Sequence, residues 1–565
     1  MGTQLCGARY PPAMSPDDLA AELLDAVLDA DPLAGSLYGL PGYDDRLPDF
    51  GREAEDGFTS TVASIADRAE ASTTEGLDET GRQTLDFVRH MARAMAGAAE
   101  VPVVEFTICD TFAAPVGAVL TMLPKVPLDT GPRRDDYLTR LAGLGGMLAT
   151  AAGRHREGTG AGRTAVARLV RSAIAQLDLM MTDPSAGGLA RPDEDDATFG
   201  PRVRAAVDDD VRPALAAYRD SLRDDVLPAA RDDDHPGICF LPDGGSMYRA
   251  LTRLHSSTDA TPDELHALGQ EIVGQVRAEL VGTGRQLFGT SDLREIFDRL
   301  SNDPTQRYGS RDEMLGHARR VVAAAEVAAP AWFTTVPDEP CSVEPVPEAE
   351  EAGSPPAYYM TGAVDGSRHG TYFLNTSEPG ERHRYMAEDM AFHEAVPGHH
   401  FQLTLAMESR DLPPARRMLS DTACAEGWGL YSERLADEMG LYSDDTARMG
   451  LFAADSWRAS RLVVDTGLHA LGWTRDQAVA WMAAHTPLPP IEIDAEVDRY
   501  ISYPGQALSY MVGRREIERL RAASTEALGD AFDIKEFHDV ILRAGIMPLA
   551  ALAGTVERWV SRTGG

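Results

Sequence analysis

Three histidines and a glutamate fall within eight residues, His393-Glu394-Ala395-Val396-Pro397-Gly398-His399-His400, in a chain that has 14 histidines among 565 residues. His-Glu followed by a further His is the start of a zinc hydrolase helix. Two imidazoles hold the metal, and the glutamate acts as general base on a water. The second histidine normally stands four residues after the first, and here that position is Pro397, which cannot ligate. In a regular helix His399 is rotated about 240° away from His393, and His400 regains the same face roughly 10 Å further along the axis. Pro397 and Gly398 both disrupt a regular helical ladder. A break there swings His399 back toward His393, and such irregularities are often found at functional sites. Spacing alone leaves His399 and His400 both open as second ligand. The plainer reading is a helix that ends at Pro397-Gly398 with surface histidines after it.

A carboxylate for the same site comes from Ala425-Glu426-Gly427-Trp428-Gly429-Leu430-Tyr431-Ser432-Glu433. Ser420 or Asp421 can cap a helix running toward Gly440, with Glu426 in its early turns. A third ligand from a second helix completes a site with one position left for water. Glu433 lies on the same face and is a rival. Gly427 and Gly429 are costly inside a helix and point to close packing. A third segment runs from Asp498 to Arg514 and includes Arg499-Tyr500-Ile501-Ser502-Tyr503-Pro504-Gly505-Gln506. Pro504 is expected to open a helix with Gln506, Tyr510 and Gly513 on one face. A tyrosine hydroxyl suits the oxyanion of a tetrahedral intermediate. Arginine suits a substrate carboxylate in a bidentate pair.

Helices must carry these groups, and the rest of the chain reads accordingly. Ser15-Pro16-Asp17-Asp18 looks like a helix start, followed by Leu19, Leu23, Leu24, Val27 and Leu28 at helical spacing. Similar stretches fill the region to residue 228. The segment 231–245 is acidic, Pro- and Gly-rich, and divides an N-terminal helical half (15–235) from a catalytic half (236–565). Residues 1–14 read as a flexible tail. Thr261-Pro262-Asp263-Glu264 forms a capping box. Pro337 to Pro356 is a long irregular loop, and Gly370 to Asn375 has a short strand signature. The expected fold class is mainly α with a small β element before residue 376.

Composition bounds the partners. Lys plus Arg is 53 and Asp plus Glu is 89, so the net charge is 53 − 89 = −36. That excludes nucleic acid, which needs a basic footprint, and argues against anionic membranes. The five cysteines, Cys6, Cys109, Cys239, Cys341 and Cys424, are odd in number with no C-x-x-C pair. This favours a reducing compartment. The N-terminus shows no apolar signal region, and the longest apolar run, Phe112 to Pro124, is too short to span a membrane. A cytoplasmic protein is expected.

The three segments together resemble a bacterial family catalogued as domain of unknown function 885, placed among gluzincin-like zinc metallopeptidases. The match runs through H-E-x-x-P-G-H-H-x-Q (His393 to Gln402), E-G-W-x-x-Y (Glu426 to Tyr431) and R-Y-x-x-x-P-G-Q-A-x-x-Y-x-x-G (Arg499 to Gly513). Tyr358-Tyr359, Asp365 to Tyr372 and the N-terminal Asp31-Pro32 and Tyr43 to Asp49 also fit, so the resemblance covers roughly 15–560. His369 departs from the pattern.

The resemblance implies an oligopeptidase-like gluzincin fold with the metal deep in a channel. It favours His399 over His400 and gives His393, His399 and Glu426 as zinc ligands. It implies that the strand Thr371 to Asn375, with Tyr372 and Asn375, lines the cleft and binds an extended substrate by strand addition. The expected function is zinc-dependent hydrolysis of an amide bond in a peptide or peptide-like small molecule by a monomer or homodimer. Glu394 is the expected base and Tyr510, or else Tyr503, the oxyanion donor. Arg368, Arg499 and Arg514, with Gln506 and Tyr503, are expected at the substrate. The alternatives are a zinc enzyme of a small-molecule pathway acting on an amino-acid conjugate, and an inactive binding protein on a peptidase scaffold.

Overall fold

A computed structural model describes residues 14–183, 185–190, 198–348, 351, 354–364, 366 and 368–564. The expected tail, apart from Met14, lies outside these residues. Helices dominate, as the 3.6-residue periodicity requires. The Pro16–Ala30 helix opens with a capping box between Ser15 and Asp18 and buries Leu19, Leu23, Leu24 and Leu28. It packs with the Arg52–Ala71 and Glu79–Ala99 helices. Their apolar faces join one core with Trp428, Met449, Leu462, Met511, Leu552 and Trp559. Helices from the two ends of the sequence thus share a single interior. Arg416 ties them further by donating to Thr84 Oγ1 (3.3 Å) and Gln83 Oε1 (3.1 Å). A second core is built around Leu141, Leu144, Leu148, Val203 and Val211.

The Thr261 capping box starts the Pro262–Phe288 helix, which lies along the Asp445–His469 helix. The latter is buried on all sides from Met449 to His469 except at Trp457, and it carries Asp455, Arg458, Arg461 and Asp465 into the interior. The Thr422–Glu438 helix packs along the Ser509–Leu528 helix. Pro504 does not open a helix. The Pro490–Ser502 helix ends before it, and Gln506–Leu508 is a short 3₁₀ turn. Gly505 sits at φ +87°, with its N–H donating to Asp465 Oδ1 (3.1 Å). The positive φ that this reversal needs is what interrupts the helix expected there.

The β element has three strands: β1 (Ser342–Pro345), β2 (Ala357–Met360) and β3 (Thr371–Leu374). The order is β1-β3-β2. β1 runs parallel to β3 with Ser342 opposite Thr371, and β2 runs antiparallel with Tyr358 opposite Phe373. This corrects the expectation of strand addition at Thr371 to Asn375. That strand is central, and both its hydrogen-bonding edges are already used, so no substrate backbone can pair with it. Among the described residues no helix is long and apolar enough to cross a membrane.

Candidate metal centre

The Ala387–Glu394 helix stops immediately after His393-Glu394. A new helix, His399–Glu408, begins after four intervening residues. Between them Val396–Pro397 is a cis peptide, and Trp428 Nε1 donates to the Pro397 carbonyl (2.9 Å). The break turns the two histidine rings toward each other, with centroids 4.7 Å apart and planes at 82°.

The Thr422–Glu438 helix delivers the carboxylate. Asp421 caps it by accepting from the Cys424 N–H (2.9 Å). Glu426 Oε2 then lies 3.5 Å from both His393 Nε2 and His399 Nε2. The candidate ligand atoms of His393, His399 and Glu426 all fall within 4.8 Å of one another. Two glycines allow this approach. A Cβ on Gly429 would sit 2.5 Å from His393 Cε1, and one on Gly427 would sit 2.4 Å from the Gly513 backbone.

The two rivals serve elsewhere. His400 is taken up by Tyr359 Oη (3.1 Å) on Nδ1 and the Glu339 carbonyl (2.9 Å) on Nε2. Glu433 is fully buried and accepts from His393 Nδ1 (2.7 Å). It thereby fixes the tautomer and leaves Nε2 facing Glu426. Behind Glu433 stand Arg458 at 3.9 Å and Asp389, which accepts from Tyr442 Oη (2.9 Å). Burial, together with the Glu433 charge, pushes the Asp389 carboxyl well above its usual range.

The electrostatics describe a site suited to a cation. Burial pulls the His393 imidazolium down, but hydrogen bonds to Glu426 and Glu433 and the charges of Glu433 and Glu394 carry it up to about 10. Burial would raise Glu426, yet its hydrogen bonds to His393 and His399 and their charges hold it well below the carboxylate range. Two imidazoles and a carboxylate are a donor set for zinc. These residues can hold a metal ion, and three protein ligands leave a position for water.

The other candidates fall into two groups. Glu394 is half-buried, and its charge acts on both His393 and Tyr372. Tyr510 stacks against His393 at 6.4 Å, and burial with the Glu426 charge raises its hydroxyl, so it stays protonated. Arg499 donates to Gln506 Oε1 (2.6 Å) and Glu496 Oε2 (3.0 Å). Tyr503 packs edge-on against His255 at 5.0 Å. The remaining residues are engaged within the fold. Arg514 pairs with buried Asp455. Arg368 donates to the Leu37 (3.2 Å) and Thr361 (2.8 Å) carbonyls. Asn375 donates to the Glu351 carbonyl (2.8 Å). Tyr372 is buried in the core.

Sequence reasoning passed over Arg458, Arg461, Glu496, Asp389 and Asp455. One signal was available. Asp455, Arg458, Arg461 and Asp465 recur at near-helical spacing among apolar residues, which on a helix buried all round means interior charge.

Solved structures resemble this one, two of them over nearly the whole chain. A "putative lipoprotein" from Colwellia psychrerythraea shares 26% identity with a TM-score of 0.90, over 97% of this chain and 100% of that one. A second protein so described, of unknown function, from Shewanella oneidensis, shares 18% identity with a TM-score of 0.73, over 96% and 99% of the two chains. No curated protein matches the sequence. A family model matches residues 32–556, and the chain belongs to that family, described as bacterial protein of unknown function (DUF885).

Proposed function

We propose that the protein is a zinc-dependent hydrolase of the gluzincin kind, cleaving an amide bond in a peptide or peptide-like substrate that reaches the triad through a channel. The observation that carries this reading is the convergence of His393, His399 and Glu426 within 4.8 Å, with Glu394 next in sequence to the first of them. Zinc held there supplies Lewis acidity, which polarises a carbonyl and lowers the pKa of water. Glu394 takes a proton from the attacking water and delivers it to the departing amine nitrogen. Tyr510, protonated and beside His393, donates to the oxyanion. Glu433 keeps His393 oriented through the attack and the collapse.

The test measures zinc content by mass spectrometry and hydrolysis of a peptide library by wild type and Glu394→Gln. Zinc near one equivalent in both, with a rate loss of about 10²–10⁴-fold in the variant, supports the reading. Full activity in the variant refutes Glu394 as base, and metal-free wild type after purification in zinc-containing buffer refutes the metal. The description of the Colwellia relative favours the cell envelope over the cytoplasm as the compartment, and cell fractionation distinguishes the two.

A further inference from the structure

Beside the triad lies a cationic group that the proposed hydrolysis does not use. The Arg461 guanidinium stacks over the Tyr510 ring at 4.3 Å and near the Trp457 ring at 4.5 Å. Tyr510 itself stacks against His393. Arg461 Nε donates to Tyr500 Oη (3.1 Å), and one terminal nitrogen donates to Glu496 Oε2 (3.1 Å). The other terminal nitrogen, Nη1, finds no hydrogen-bond partner among the described residues, and the residue is only 4% exposed. An unmet donor on a buried charge is costly, because it gives up its hydrogen bonds to water and gains none in return, so its persistence calls for an explanation.

The charges around it do not balance. Arg461 and Arg499 share one firmly ionised carboxylate, Glu496; burial opposes its ionisation, but the charges of the two arginines hold it far down. Asp465, which the Arg499 charge also reaches, is pushed up to about 7 by burial. In a chain of net charge −36, this leaves a positive spot next to the candidate metal centre. It borders half-buried Tyr510 and Arg499. Tyr510 links the two: its ring lies 6.4 Å from that of His393 and 4.3 Å from the Arg461 guanidinium. The two spacings put the guanidinium no more than about 11 Å from the His393 ring; one extended residue of about 3.5 Å, together with the bonds a substrate would make at the triad and at the guanidinium, is of the size to close that gap.

Building on the hydrolase reading above, we propose that Arg461, with Arg499 beside it, binds the free α-carboxylate of the leaving residue. The substrate class is then an acyl group in amide linkage to an amino acid whose carboxylate is free, whether a peptide's last residue or an N-acyl amino acid. In the reaction the water oxygen bonds to the acyl carbon and the C–N bond breaks. The nitrogen leaves with a proton as a free amino acid, and the acyl group leaves as a carboxylic acid. A blocked or internal carboxyl leaves Arg461 Nη1 without an acceptor, so the enzyme selects exo-cleavage at the C-terminal end.

The test uses the full-length protein loaded with Co²⁺ in place of zinc, with 3-mercaptopropionate and 3-mercaptopropionamide as probes. Each offers a thiolate to the metal and differs only in the group presented beyond it. Thiolate binding appears as a charge-transfer band. Wild type is expected to bind the carboxylate about 10- to 100-fold tighter than the amide, the span of one hydrogen bond to a charged group. Arg461→Gln should bring the ratio near one, and Arg461→Lys should restore part of it. Equal affinities in wild type, or a ratio that survives in Arg461→Gln, overturns the carboxylate assignment while leaving the metal reading intact. If neither thiol perturbs the cobalt spectrum, the metal reading fails and takes this assignment with it. The matching kinetic comparison, N-acyl amino acids against their amides, should show the same preference in kcat/KM.

Discussion

Two buried arginine–carboxylate networks occupy this molecule, and they are finished differently. In the N-terminal half Glu105 is 1% exposed, and both its oxygens are filled. Arg163 Nε donates to Oε2 (2.6 Å), while Arg52 (3.1 Å) and Arg154 (3.2 Å) share Oε1. Arg52 and Arg154 reach on to Glu157 (2.7 Å) and Glu55 (2.6 Å), and one buried donor of this network, Arg154 Nε, finds no partner among the described residues. The network around the Asp445–His469 helix is left open. Asp455 is saturated by Arg434 and Arg514, but Glu433 Oε2, Arg458 Nε and Nη1, and Arg461 Nη1 lack hydrogen-bond partners among the described residues. The first network clamps helices together. The second surrounds the triad, where unmet polar atoms are the ones a ligand can complete.

Breaking either clamp should have the largest effect on stability. Glu105→Ala takes a buried carboxylate from three guanidinium groups and Asp455→Ala takes one from two; each should cost about 3–5 kcal/mol, read as a shift of the denaturation midpoint. The comparison requires that Glu105→Ala leave zinc affinity unchanged once the protein is folded. A matching loss of zinc there would erase the distinction between the networks. Gly429→Ala acts next. Its Cβ meets the His393 ring at 2.5 Å, and the overpacking should cost about 1–3 kcal/mol and displace a metal ligand. Competitive chelation should show zinc held more weakly, and wild-type affinity would refute the close approach of this helix to His393.

Glu433→Gln comes third. It keeps the shape but removes the charge behind His393, and should weaken zinc by about 10–100-fold with a small change in melting temperature. A large loss of stability with unchanged zinc affinity would make Glu433 a clamp of the Glu105 kind. The smallest effect is a pH slope at Asp465, which accepts from Tyr248 Oη (2.6 Å) and the Gly505 N–H. Burial raises its pKa from 3.8 to about 7. The folded state therefore holds this proton more tightly than the unfolded chain does, and the stability it contributes is lost as pH rises from about 4 through about 7. Asp465→Asn keeps an acceptor and cannot titrate. The melting temperature of wild type relative to this variant should fall across that window, and a constant difference would contradict it.

Much of this was legible along the chain. Ser15-x-x-Asp18 and Thr261-x-x-Glu264 start helices where their side chains can satisfy open N–H groups, which is local chemistry. Pro397-Gly398 foretold the break, and Gly427 and Gly429 foretold close packing, because both follow from what those residues cannot do. The central place of β3 was not legible, since pairing partners far apart in sequence decide which strand is an edge. Nor was the turn at Gly505, which rests on Asp465, 40 residues away.

The sequence by itself determined the donor types, the helix break between His393 and His399, and the family. Each depends on the residue identities and short-range sterics. Only the tertiary structure decided between His399 and His400 and between Glu426 and Glu433. Residues on a common face are separated by what approaches them: the Thr422–Glu438 helix brings Glu426 to the imidazole nitrogens, while Tyr359 and the Glu339 carbonyl claim His400. The same holds for Arg461, whose open donor exists because helices distant in sequence enclose it without supplying an acceptor.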